Sequence, residues 1–124
     1  MPAQRFTTSY TPGEKSGTTT FYVGHGQTGE WTLEGISLIP QQSIAADGSN
    51  KFVIAMTDGS DTVATSHDTS ATALTAGTGV QMTMSAAGTD LEFGPTDSVK
   101  FVATETGSAV LEAQFVCHWR KARV

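Results

Sequence analysis

The chain has 124 residues, a net charge of −5 and only 15% Asp, Glu, Lys and Arg. That length fits one domain able to bury a core without disulfide or metal. The acidic balance argues against nonspecific nucleic-acid binding, which needs cations to displace phosphate counterions, and the single cysteine, Cys117, excludes an internal disulfide framework. No apolar run approaches the ~20 residues of a membrane span, and Met1–Arg5 lacks the apolar core of a secretory signal. The product is therefore expected to stay where it is made unless a larger assembly carries it out. Thr is the commonest residue and there are 13 glycines, a composition suited to pleated strands and tight turns rather than helices.

Residues 1–19 show no sustained periodicity and read as an extended N-terminal arm, with residues 20–124 forming the folded domain. The arm carries two aromatics, Phe6 and Tyr10. Two roles stay open for them: covering their own domain, or anchoring on a neighbouring subunit.

The first strand is Thr20–Val23, ending in the glycine-rich turn Gly24–Gly29. Trp31–Ile39 follows; its inward face switches parity around Gly35, which predicts a bulge or bend, and Pro40 closes it. The turn Asp47-Gly48-Ser49-Asn50 precedes a strand at Lys51–Thr57, with Phe52, Ile54 and Met56 on one face. Asp58-Gly59-Ser60-Asp61 turns the chain into Thr62–Ser66. His67–Ala73 is polar and reads as a loop or edge crossing, and Val80–Met84 alternates cleanly. Leu91–Gly94 is short and Ser98–Thr106 longer, and Val110–Trp119 aligns Leu111, Ala113, Phe115, Cys117 and Trp119 on one face.

About eight strands with short connections predict an all-β fold. The simplest form is an antiparallel β-sandwich organised as an eight-stranded jelly roll, with an Ig-like sandwich as the alternative.

Chemistry is sparse. His25, His67 and His118 belong to no metal-ligand motif and are expected to be exposed and solvated. Asp58 to Asp61 lacks the ligand ladder of a calcium loop, and acids such as Glu34, Glu92, Glu105 and Glu112 form no specific hydrolytic pair. Gly24–Gly29 has the lettering of a dinucleotide fingerprint, but a strand follows where a helix is needed. Trp31 and Trp119 fall on apolar faces and are expected in the core, and Cys117 is expected to be an inert core thiol. No catalytic, cofactor-binding or metal-ligating residue is predicted. Arg120, Lys121 and Arg123 make a basic tail that is either solvated or turned to an acidic partner.

Several turns and strands between Ile36 and Trp119 resemble small virion proteins of tailed bacteriophages: the strand ending at Ile39-Pro40, the turn Ala45–Asn50, the strand ending at Asp58-Gly59, Leu74–Gly77, Asp97–Val99, Glu105–Ser108, and a long last strand with basic residues at its end. The resemblance implies a head decoration (cement) or head-fibre protein, made in the host cytoplasm and found on the capsid exterior. It implies a non-enzymatic role without cofactor, with the major capsid protein and further copies of itself, commonly as a homotrimer, for partners. No nucleic-acid or membrane partner is expected. Phe6, Tyr10, Arg120, Lys121 and Arg123 are the candidate contacts. A carbohydrate- or receptor-binding module displayed on the virion is the alternative.

Overall fold

A computed structural model describes residues 4–85 and 91–121. It is a β-sandwich of two antiparallel sheets, with no α-helix among the described residues. Among the described residues nine strands run in chain order: β1 (Gln4–Tyr10), β2 (Thr19–Val23), β3 (Trp31–Pro40), β4 (Lys51–Thr57), β5 (Thr62–Asp68), β6 (Val80–Gln81), β7 (Glu92–Phe93), β8 (Val99–Thr106) and β9 (Ala113–Lys121). The first sheet has the order β1-β9-β3-β6, with β7 also on β3; the second has the order β2-β8-β4-β5.

Alternation explains the long strands. In β9, Ala113, Phe115, Cys117 and Trp119 are buried while the residues between them are half-exposed. In β8, Val99, Phe101 and Ala103 point inward, and in β4 Phe52, Ile54 and Met56 do the same. A period of two puts each set on one face of a pleated strand, so the two sheets close around a single apolar interior. The parity switch expected near Gly35 is present: the register between β3 and β9 shifts between Leu33 and Gly35, which keeps both Leu33 and Ile36 buried.

The core contains two aromatic groups. At one end Trp119 meets Phe93 and His25 edge-on, each at 5.3 Å, and Phe6 stands perpendicular to Trp31 at 4.8 Å. At the other end Phe115 packs against Phe21 at 4.5 Å and Phe101 at 5.3 Å, with Tyr10 over Phe21 at 5.2 Å. Such pairs add about 0.5–1.5 kcal/mol each beyond the area they bury.

Three sequence expectations change. Gln4–Tyr10 is not a separate arm but a strand on β9, running unbroken from Gln4 opposite Lys121 to Tyr10 opposite Phe115. The cause is a short alternation of Phe6, Thr8 and Tyr10, in which Thr8 serves as an inward residue by accepting a 2.8 Å hydrogen bond from Trp119 Nε1. His67 lies within β5 rather than in a loop. Val80–Met84 is not one strand: β6 ends at Gln81, and the chain then crosses from one sheet to the other. Met82 N–H donates to Ile36 O, while Ser85 N–H donates to Val63 O and Thr65 N–H to Thr83 O, so residues 82–85 bridge the edges of β3 and β5.

The acidic turns behave as hairpin chemistry predicts. Asp58 accepts from the backbone N–H groups of Ser60 and Asp61 at 2.9 and 2.7 Å, and Gly59 takes φ +105°. Asp47 is held below its ordinary value of 3.8, first by the Ser49 N–H and then by the Asn50 side chain. Asp68 is lowered likewise, first by the Ser70 N–H and then by the Ser70 side chain. A carboxyl depressed by folding stabilises the native state above its unfolded value and loses that contribution as pH falls through its folded value. The urea midpoint should therefore hold near neutrality and decline as pH drops below 3.8. Asp47→Ala should lower the neutral-pH midpoint and flatten that acid decline; an unchanged pH profile would contradict the assignment.

Gly107 has φ +78°, and a Cβ there would collide with the Ser49 carbonyl oxygen and Asn50 Oδ1, which receives the Ser108 N–H at 2.9 Å. Gly107→Ala should cost about 1–3 kcal/mol from the left-handed backbone alone, with the collision in addition, and lower the urea midpoint by roughly 1 M. Gly48→Ala, where a Cβ meets nothing within 4 Å, serves as the control and should leave the midpoint nearly unchanged.

Candidate interaction surface

Four of the five predicted contact residues lie among the described residues, and all four are engaged within the domain. Phe6 is half-buried against Trp31. Tyr10 covers Phe21 yet stays 42% exposed. Arg120 Nε lies 3.2 Å from Glu34 Oε2, and Arg5 Nε takes the other oxygen at 3.0 Å, so one carboxylate ties β1, β9 and β3 together across the outer face. Lys121 Nζ sits 5.4 Å from the centre of the Trp31 ring, the geometry of a cation–π contact. Arg123 lies outside the described residues.

Antiparallel pairing sets where these groups meet. Phe6 opposes Trp119, and Arg5 opposes Arg120, so Phe6, Arg120 and Lys121 gather at the Trp31 end. Tyr10 opposes Phe115 at the far end of β1, roughly 13 Å further along the strand. The structure thus divides the candidate contacts between two places. The ion pairs to Glu34 are solvent-facing and worth at most about 1 kcal/mol each.

The most exposed large apolar side chain among the described residues is Tyr22, 59% exposed on the outer face of β2 opposite Lys100. Its parity within Thr19–Val23 was readable, since Phe21 and Val23 take the inward positions. No motif around Tyr22 marks it as a contact residue.

The histidines correct another expectation. His25 is 2% exposed and His67 8%. His25 Nδ1 accepts the Gln27 N–H at 3.0 Å, which leaves Nε2 to donate to the Phe93 carbonyl oxygen, also at 3.0 Å. That arrangement defines a neutral ring with its proton on Nε2, used as a polar strut between Phe93 and the Gly24–Gly29 turn. His67 Nε2 is buried with no hydrogen-bond partner. A pattern of Gly-His-Gly advertises a turn, and nothing local reveals that the ring folds back under the tryptophans.

His118 is the half-exposed one. Its Nε2 lies 2.9 Å from Ser37 Oγ, and its ring covers Gly35, where an added Cβ would stand 3.4 Å from Cδ2. The pair borders a cavity of about 240 Å³ that Gln81, Met82 and Met84 also line. Ser37 and His118 are 81 residues apart and meet only through the β3–β9 register, so no sequence motif could disclose them. Glu34 lines the same cavity, but its carboxylate is held by Arg5 and Arg120 rather than by His118. The result is a hydrogen-bonded hydroxyl and imidazole with no carboxylate among the described residues orienting the ring, unlike a nucleophile–base–acid relay.

A second depression, about 230 Å³, lies by the Asp47 turn and is lined by Gln42, Ile44, Asn50 and Val110 among others. Gln42 Nε2 donates to both Glu14 and Glu112, at 2.6 and 3.0 Å, and so separates two carboxylates. Among the described residues no three His, Cys, Asp or Glu side chains group so as to hold a metal ion. Among those residues, too, no helix is long and apolar enough to cross a membrane. No protein-family model, curated protein or solved structure matches the chain.

Cys117 is fully buried between the sheets, and burial pushes its thiol up to about 12. The thiolate is the reactive form, so the native protein should resist a thiol reagent at pH 8 and react within seconds once unfolded in urea. Rapid labelling of the native state would show that β9 does not occupy the interior.

Proposed function

We propose that this chain is a non-enzymatic structural protein of a tailed-bacteriophage virion, decorating and stabilising the capsid exterior by self-association and by contacts to the major capsid protein. The observation that carries the proposal is the strand order. With β6 and β7 counted as two pieces of one interrupted strand beside β3, the sheets hold strands 1, 9, 3, 6/7 and 2, 8, 4, 5. We read this as an eight-stranded jelly roll, an architecture that recurs in viral capsid proteins and lectin domains. The Ig-like alternative, with its sheets of four and three strands in another order, fits less well. The step from architecture to virion is one of fold analogy, joined to the resemblance carried by the turns between Ile36 and Trp119.

The residues favour a surface-acting protein in a second way. Aromatic and polar groups with chemical potential are largely spent on the fold: Trp31, Trp119 and His25 are buried, and Arg5 and Arg120 share the Glu34 carboxylate. What is left outside is strand edge and sheet face, with the Ser37–His118 pair beside its cavity. The exposed ring of Tyr22 supports the second reading, a carbohydrate- or receptor-binding module displayed on the particle.

Antibody against the purified chain should label the heads of intact virions of the phage that encodes it, and heads assembled without it should rupture at lower temperature than complete ones. Virions lacking the protein would overturn the proposal. Reproducible binding on a glycan array, lost in Tyr22→Ala, would move the assignment to the second reading.

A further inference from the structure

The two long sides of the sandwich are finished differently. On one side, residues 82–85 bond to β3 at Ile36 and to β5 at Val63, with Met84 bridged to Ala64, and β6 and β7 pair with β3 at Ser37–Leu38 and at Trp31–Thr32. On the other side, β1 and β2 end the two sheets, and no described residue pairs with their outer edges. β2 is five residues long and β1 is seven.

Natural edge strands are guarded against pairing by proline, lysine, bulges or inward charges. β1 has none of these between Gln4 and Tyr10: no proline, no lysine, and no register shift along β9. Its one charge, Arg5, is already paired with Glu34 at 3.0 Å. A regular, unguarded strand edge is a template for one more strand.

We propose that β1 pairs antiparallel with β1 of a second copy about a two-fold axis at Thr7, joining the two first sheets into one. The sequence Gln4-Arg5-Phe6-Thr7-Thr8-Ser9-Tyr10 is compatible with itself in that register. Thr7 faces Thr7 of the second copy, Arg5 faces Ser9, and Gln4 faces Tyr10. No like charges stand opposite each other, and a central Thr–Thr pair is among the favourable cross-strand contacts. A two-fold axis makes the contact isologous and closed, the commonest form of homo-oligomer. The pairing deepens the structural role proposed above and rests on its self-association. It gives a dimer, and so departs from the trimer that the phage resemblance implies.

The register supplies its own test. Residues directly opposite in an antiparallel pair have Cα atoms about 4.5–5.5 Å apart, within the range a disulfide spans. Ser9 of one copy would lie roughly 13 Å from Ser9 of the other, beyond that range. Thr7 and Ser9 are both exposed, and Cys117 is buried and takes no part. Under mild oxidation, Thr7→Cys should cross-link almost fully to a species of twice the monomer mass, while Ser9→Cys should stay monomeric on the same non-reducing gel. Light scattering of the unsubstituted chain should give a dimer, and circular dichroism should find both variants folded. A monomer in light scattering at all concentrations would overturn the edge pairing together with self-association. A stable oligomer in which Thr7→Cys fails to cross-link, or Ser9→Cys links equally well, would overturn the edge pairing alone.

Discussion

Trp119 and the strand that carries it set the terms for the rest of the molecule. β9 lies between β1 and β3, and its inward side chains Ala113, Phe115, Cys117 and Trp119 are completely buried. A tryptophan in that position brings an indole N–H into the interior, and an unmet buried donor costs about 1–3 kcal/mol. Thr8 of β1 meets it at 2.8 Å. The same strand that satisfies Trp119 also places Phe6 on Trp31, so the N-terminal segment completes the core at two points. Removing a buried Trp or Phe side chain typically costs about 3–5 kcal/mol, comparable to a large share of a small domain's stability. β1 is therefore part of what keeps the sandwich closed.

This arrangement also accounts for what the surface can and cannot do. Residues with the look of binding groups in the sequence serve the fold: Phe6 seals Trp31, Lys121 covers the same ring from its Nζ, and Arg120 shares Glu34 with Arg5. The side closed by residues 82–85 offers no strand edge at Val63 to Thr65. The opposite side offers β1, held rigid by its continuous register with β9. A stiff edge loses little conformational freedom on pairing, which favours its use for contact between subunits.

The elements most legible in the sequence were those with long alternation. β4, β8 and β9 each carry three or four inward apolar residues in strict period two, and each stands within a few residues of its expected span. The bulge was legible too, because Gly35 coincides with the parity switch between Leu33 and Ile36. β1 was not, since its inward positions are Phe6, Thr8 and Tyr10, and the central one earns its place through a hydrogen bond rather than apolarity. Val80–Met84 misled for the opposite reason: the alternation is real, but the pairing partner changes from Ile36 to Val63 partway along. Burial of His25 depends on the Phe93 carbonyl 68 residues away, and the Ser37–His118 contact on a register between distant strands. Local pattern encodes strands; it does not encode which strands become neighbours.

A closed core around Trp119 requires β1 to be integral to the sandwich, and native-state hydrogen exchange measures this most directly. Amides shared between β1 and β9 should exchange at rates within about tenfold of those between β9 and β3, because both ladders are lost only when the core around Trp119 opens. Exchange of the β1-bonded amides within seconds, while those between β9 and β3 stay protected for hours, would mean that Gln4–Tyr10 is a loose arm and that Thr8 does not hold Trp119.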